Sequence, residues 1–303
     1  MIPDAGTLTT TRRTSFQDKV VVITGGASGI GKALAIAFAT DGARVALVDI
    51  QNCDDMTRKL DPSGERTGVD MTSPHPSSTS NLLSFTCDVT NPRQVRAMIE
   101  QVKRQWQRID IYCSNAGMIF PSPSADTMVH DDVARHSDDQ WTQILKVNVQ
   151  SHVIAVRELL PGWERGQGDG TFVITASAAG LLTQIGDASY GVSKAAAISL
   201  AEHIAISHPT IQVHCICPQA VDTPFIRGGP PHNPAMTDGI VTPELVAECT
   251  LRAILVGSFW IFPHPIVPEY YHRKTTDHSR WIKGMQRLRQ GLLQNSKSQL
   301  AKL

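Results

Sequence analysis

Tyr190 and Lys194 stand four residues apart at the end of the stretch SAAGLLTQIGDASYGVSK, Ser177 to Lys194. In a helix that begins near Asp187 the two side chains share one face, one turn apart. A free tyrosine has a pKa of about 10, so near neutral pH its phenol is a weak base and a slow proton donor. A neighbouring ammonium favours the phenolate. The spacing therefore predicts a phenol of lowered pKa, able to trade a proton with an alcohol or a carbonyl. Ser177 ends the apolar run TFVITAS, and its hydroxyl could reach the same oxygen from a strand tip. A surface tyrosine beside a solvated lysine has the same spacing, and chance produces such a pair in roughly one in eight chains of this composition. Independent signals must decide.

The elements that would carry the pair are legible upstream. Lys19 to Thr24 (KVVVIT) is a continuous β-branched run, as in strands buried on both faces of a parallel sheet. It enters GGASGIG, then the helical pattern KALAIAFATDG with Gly42 as the expected cap, then a second strand, ARVALVDI, ending at Asp49. Gly25, Gly29 and Gly31 are spaced G-x-x-x-G-x-G, not G-x-G-x-x-G. The physical demand is the same: a tight turn must bring backbone N–H groups and a helix N-terminus up to a pyrophosphate. Glycines also cluster in such turns for steric reasons alone, but here strand, turn, helix, strand and terminal acid coincide. Asp49 lies close to the offset of roughly 20 residues expected of an acid that accepts hydrogen bonds from the adenosine ribose. Its charge would repel a 2′-phosphate, so NAD is expected and NADP less so, although Lys32 could draw a phosphate. An ordinary strand-end aspartate is the plain alternative.

Residues 61–81, rich in Ser, Thr, Pro and Gly, read as a mobile loop. LLSFTCDVT is a third strand ending at Asp88, and NPRQVRAMIEQVKRQW an amphipathic helix. The strand IDIYCSNAG ends in Asn115, Ala116 and Gly117, small residues that suit the close approach of a flat ligand. A long helix is expected from about Ser137 to about Leu160 with Asn148 inside it. A mid-helix asparagine is unfavourable unless exposed or satisfied, or it could hold water beside a catalytic lysine. QVHCICP is another buried strand. After it, residues 219–242 are dense in Gly and Pro and read as a flap that could close over substrate, or as a plain loop. TPELVAECTLRAIL is a helix and SFWIF a last strand. The tail, 269–303, is a helical extension with Trp281, Met285, Leu288 and Leu292 on one stripe, suited to packing on the body or on a second subunit.

Composition bounds what this chemistry can serve. With 28 basic and 28 acidic residues in 303, no long-range field recruits nucleic acid or anionic membrane. No apolar run approaches the roughly 20 residues of a membrane span, and the opening residues 1–17 read as a disordered arm without the apolar core of a secretory signal. Six cysteines without a C-x-x-C pair, most of them in apolar runs, fit a reducing compartment, and a cytoplasmic location is expected. The eleven histidines lack ligand spacing, so no metal is expected.

Taken in order, TGGASGIG (Thr24 to Gly31), Asp49, Asp88-Val89, Asn115-Ala116-Gly117, Asn148, Ser177 and YGVSK (Tyr190 to Lys194) resemble the short-chain dehydrogenase/reductase family. The resemblance covers roughly Asp18 to Phe262. It implies an α/β, three-layer Rossmann fold in a single domain over 18–268, with a seven-stranded parallel sheet, helices on both faces, and a homodimer or homotetramer. It further implies that Tyr190 is the general acid/base, with Lys194 lowering its pKa and contacting the nicotinamide ribose. Ser177 would orient the substrate oxygen and Asn148 hold a relay water. Gly25, Ser28, Gly29, Ile30 and Gly31 would bind the cofactor phosphates. Asp88 and Val89 would flank the adenine, Asn115 would steady the sheet beside the cofactor, Thr223 would reach the nicotinamide carboxamide, and Ala116, Gly117, Pro218 and Val221 would also bind the cofactor. Ser28 stands where NADP-preferring relatives usually carry a basic residue. Gln219 departs from the pattern, since a glycine is usual after Pro218. The tail, with His264-Pro265 after the last strand, is similar to branches acting on bulky hydrophobic alcohols, including natural-product dehydrogenases. The implied reaction interconverts a secondary alcohol and a ketone on a small hydrophobic, ring-bearing molecule. The alternative is a repurposed scaffold, either a non-redox catalyst or a dinucleotide sensor.

Overall fold

The computed structural model describes residues 15–54, 56, 81–120, 133, 136–226 and 234–300. Apart from Asn81, the expected loop 61–81 lies outside them. Seven strands form one parallel sheet: β1 (Val20–Thr24), β2 (Arg44–Asp49), β3 (Leu82–Thr86), β4 (Ile111–Ser114), β5 (Thr171–Thr175), β6 (Gln212–Ile216) and β7 (Trp260–Ile261). Their order is β3-β2-β1-β4-β5-β6-β7, so the winding reverses between β1 and β4, where doubly wound sheets open a ligand crevice.

The helices α1 (Gly29–Thr40), α2 (Pro92–Trp106), α3 (Asp138–Leu145), α4 (Ser151–Trp163), α5 (Ala178–Leu182), α6 (Ala188–Ser207), α7 (Pro243–Val256), α8 (Val267–Thr276) and α9 (His278–Leu300) follow in chain order. Alternation along β1 shows how the layers form. Val20 and Val22 pack with Met98 and Val102 of α2, Leu159 of α4 and Ala201 of α6. Val21 and Ile23 face the opposite way, onto Leu34 and Phe38 of α1 and Val246 and Ile254 of α7. Both faces of the strand are therefore buried, as its unbroken β-branched run predicts.

Polar groups hold both ends of β1. At its start the buried Asp110 carboxylate accepts from Val20 N at 2.9 Å and from Asp169 N at 3.2 Å. At its end Thr24 Oγ1 accepts from Asn115 N at 2.9 Å and Ala116 N at 3.0 Å.

Two expectations need correcting. Phe16, placed in the N-terminal arm, is fully buried with its ring edge-on to Phe38 at 5.0 Å, because an aromatic just ahead of β1 covers the end of α1. The long helix expected from Ser137 is interrupted: α3 passes into a π-helical turn, Lys146–Gln150, before α4 resumes. That turn carries Asn148, and such insertions concentrate at functional sites. Among the described residues no helix is long and apolar enough to cross a membrane.

Candidate active site

The glycine turn packs too closely for side chains. A Cβ on Gly31 would lie 2.1 Å from the Gly25 carbonyl oxygen, and one on Gly29 would lie 2.9 Å from the Thr223 methyl. Gly25 and Gly29 also have positive φ, 67° and 51°, which glycine adopts without strain. At the tip of β2, Asp49 accepts from Ala27 N and Gln51 N, both at 3.0 Å, so its carboxylate is fixed beside the turn. Asp88 is fixed likewise by Thr90, whose N and Oγ1 each donate at 2.8 Å. Asn115 locks three strand ends together: its Nδ2 donates to Thr24 O at 3.0 Å and its Oδ1 accepts from Thr175 Oγ1 at 2.9 Å.

Opposite the turn, α6 begins where the spacing predicts. Asp187 caps it, its Oδ1 accepting from Tyr190 N and Ser189 Oγ at 2.8 Å each. Tyr190 and Lys194 lie on one face, with Nζ 5.7 Å from the ring centroid. Lys194 Nζ donates to Thr175 O at 2.8 Å, which ties α6 to β5. Ser177 lies just beyond β5, caps α5 through Ala179 N at 3.1 Å, and its hydroxyl donates to Pro218 O at 3.3 Å while favouring the ionised form of the Tyr190 phenol.

Electrostatics reverse one expectation. Burial pushes the Tyr190 phenol up to about 12, against the opposing pull of the Ser177 hydrogen bond. Burial also brings the Lys194 ammonium down to about 8. A one-turn spacing alone could not reveal that both groups are buried in the cleft wall, where the loss of hydration dominates the shift of each.

Asn148 is fully buried. Its Oδ1 accepts from Met118 N at 2.8 Å, and its Nδ2 donates to Met118 O at 2.9 Å and Ser193 Oγ at 3.0 Å. The amide thus binds the β4 exit to α6. A Cβ on Gly117 would meet both Asn148 Oδ1 and Lys194 Nζ at 3.4 Å, so the small residue at this strand end leaves these groups facing one open point.

One cleft of about 920 Å³ joins these parts. It is lined by Gly25, Ser28, Gly29, Ile30, Asp49, Asp88, Val89, Asn115, Ala116 and Gly117 on one side, and by Ser177, Tyr190, Lys194, Pro218, Val221 and Thr223 on the other. Gly31 and Asn148 stand behind the wall and shape it. The volume falls within the range of small-molecule and cofactor sites. Sequence reasoning missed Phe120, Leu182, Ile185 and Phe225 as lining residues, and His152, whose Nδ1 pairs with Ser114 Oγ at 2.6 Å. No short-range pattern marks these. The stripe of Trp281, Met285 and Leu288 was visible, and it closes the far end of the cleft, with Trp281 Nε1 donating to Leu182 O at 3.3 Å.

A family model described as short chain dehydrogenase matches residues 19–231. The chain belongs to the short-chain dehydrogenase family. Among curated relatives, 1-deoxy-11-beta-hydroxypentalenate dehydrogenase of Streptomyces arenae is 29% identical over 259 residues, covering 83% of this chain and 84% of that one. A 3beta-hydroxysteroid dehydrogenase of Mediterraneibacter gnavus is 27% identical over 212 residues, 69% of this chain and 68% of that one. Among solved structures, a short chain dehydrogenase/reductase from Burkholderia phymatum in complex with NAD aligns with a TM-score of 0.70 at 23% identity. That alignment covers 87% of this short-chain dehydrogenase and 96% of the other chain, and it shows the shared fold. With the family comes dehydrogenase/reductase chemistry.

Proposed function

We propose that this short-chain dehydrogenase interconverts a secondary alcohol and a ketone on a hydrophobic, ring-bearing small molecule, with NAD as hydride carrier. The observation that carries the reading is the meeting of the Ser177–Tyr190–Lys194 group and the Gly25–Gly31 turn in one cleft. The turn fits a dinucleotide: it has no room for side chains, and the Asp49 carboxylate stands fixed at its edge. Gly25, Ser28, Gly29, Ile30 and Gly31 would hold the pyrophosphate, and Asp49 the adenosine ribose. Asp88 and Val89 would flank the adenine, with Val221 and Thr223 facing the nicotinamide. An unscreened carboxylate at the ribose position disfavours a 2′-phosphate, which supports NAD over NADP.

When bound, the nicotinamide supplies the hydride acceptor or donor and, oxidised, a positive charge. The protein's own part is proton handling. Tyr190 takes the proton from the carbinol during oxidation, Ser177 hydrogen-bonds the same oxygen, and Lys194 stabilises the phenolate from the next turn. The open point between Asn148 and Lys194 gives a water somewhere to carry that proton onward. Phe120, Leu182, Ile185, Phe225 and the α9 stripe give the substrate end an apolar wall, which favours a ring system. The pentalenate and hydroxysteroid relatives, both named for polycyclic hydroxyl compounds, support this substrate class.

The test is incubation of the pure protein with NAD and a panel of cyclic secondary alcohols, followed at 340 nm. Tyr190→Phe should lower kcat by about 10²- to 10⁴-fold while NAD affinity, read by fluorescence titration, stays within about twofold. NAD binding without turnover of any alcohol or reduction of any ketone would mark a repurposed scaffold.

A further inference from the structure

Residues just after β6 approach the C-terminal helices through one carboxylate. Gln219 Nε2 donates to Asp238 Oδ2 at 3.0 Å, and Tyr270 Oη donates to Asp238 Oδ1 at 3.0 Å. Because an ionised carboxylate only accepts, it fixes which end of the Gln219 amide faces it. The Gln219 backbone is held as well: its N–H donates to Nδ1 of the buried His264 at 3.2 Å. The chain around Asp238 is stitched to the same strand end, with Val241 N donating to Ala220 O at 3.1 Å and Asp222 N to Val241 O at 2.9 Å. The described parts of the expected flap, 219–226 and 234–242, are therefore anchored.

Tyr270 lies on α8, and α8 is tied across the cleft a second time. Lys274 Nζ donates to Leu181 O at 2.6 Å and Thr183 Oγ1 at 3.2 Å. Gln219, Ala235, Thr183 and Tyr270 all line the cleft. The glycine that the family resemblance leads one to expect at 219 has no side chain to reach Asp238.

We propose that Gln219 is a positioning residue that sets the width of the substrate end of the cleft, by tying Asp238, and through it Tyr270 and α8, to the end of β6. This rests on the alcohol–ketone reading above. Without the tie, α8 keeps its anchors to α5 and, through buried Val267 and the backbone bonds of His264, to the body. Asp238 and Tyr270, however, lose their side-chain link to the end of β6, so the wall facing a bulky ring loosens. A small substrate does not reach that wall.

Polarity exchange tests it. Gln219→Glu sets two carboxylates face to face, and Gln219→Glu with Asp238→Asn restores a donor opposite an acceptor while leaving an oxygen for Tyr270. In Gln219→Glu, KM for a tricyclic secondary alcohol should rise about fivefold, the scale of one net hydrogen bond. KM for cyclohexanol and the affinity for NAD should stay within about twofold, and the exchanged pair should return the tricyclic KM to within about twofold of wild type. Amide hydrogen exchange over 235–241, which needs no turnover, should quicken in the single variant and slow again in the pair. Exchange that stays at the wild-type rate in Gln219→Glu, or a folded pair that restores neither exchange nor KM, overturns the tie. Wild-type protein that oxidises no alcohol would instead sink the functional reading, and the exchange rates would still decide the tie.

Discussion

Burial decides the protonation of both central side chains, against nearby thiol charge at Lys194 and against the Ser177 hydroxyl at Tyr190. Lys194 is brought from 10.5 down to about 8 by burial. The unfolded chain then holds a proton that the folded protein has released across roughly pH 8 to 10.5, so this group's contribution to stability should increase as pH rises through that window. The slope from one such group is at most about 1.4 kcal/mol per pH unit. Buried thiols such as Cys53 and Cys87, pushed up to about 12, act in the opposite sense above pH 9. The Lys194 contribution is therefore read as the difference between wild type and Lys194→Met in denaturant unfolding of the cofactor-free protein, which should grow from pH 8 to pH 10. The same burial keeps Tyr190 protonated in the free cleft, since its phenol is pushed up to about 12. In the proposed mechanism, positive charge must therefore come close to the phenol before it can release its own proton and, as phenolate, take one from the alcohol, and an oxidised nicotinamide beside it would bring that charge. In this reading the order of events follows from desolvation: proton transfer waits for a loaded site.

At the scale of the element, the cap of α6 joins stability to geometry. Asp187 holds the N–H of Tyr190 itself. Asp187→Ala should cost about 1–2 kcal/mol and lower Tm by about 2–4 °C in calorimetry, with kcat falling because the phenol's own backbone loses its anchor. Much at this scale could be read in advance from the amino acids. The β-branched runs mark β1, β2 and β6, the glycines mark the turn into α1, and Tyr190 and Lys194 lie on one face as their spacing requires. What escaped the reading depends on contacts distant in sequence. The π-helical turn at Asn148 adds no break to the apolar pattern, and the partners of Asn148 there, Met118 and Ser193, are connected to it by no period. Gln219 could be recognised as unusual, but its partners Asp238 and Tyr270 belong to two other segments. Burial of the phenol is likewise a property of the assembled cleft.

Across the whole molecule, the sheet supplies the half of the cleft proposed for the cofactor, and the C-terminal helices line the half proposed for the substrate. Ending the chain after Asp277 removes α9, and with it the contribution of Trp281, Met285 and Leu288 to the cleft. The truncated protein should keep its far-UV circular dichroism apart from one lost helix and bind NAD within about twofold of the full chain. KM for a tricyclic alcohol should rise about tenfold or more, the worth of part of one buried apolar side chain. The two ends of β1 carry a different consequence. A strand with one wet face is indexed by polarity, because sliding it by one position would drown its oily half. Here both faces are oily, so Val20–Thr24 could shift frame without that penalty. Alignment then falls to the clamps at either end, Asp110 on one and Thr24 with Asn115 on the other. The second clamp is also the floor on which a nicotinamide would rest, so an error in threading the central strand and a ruined binding site would be one and the same defect.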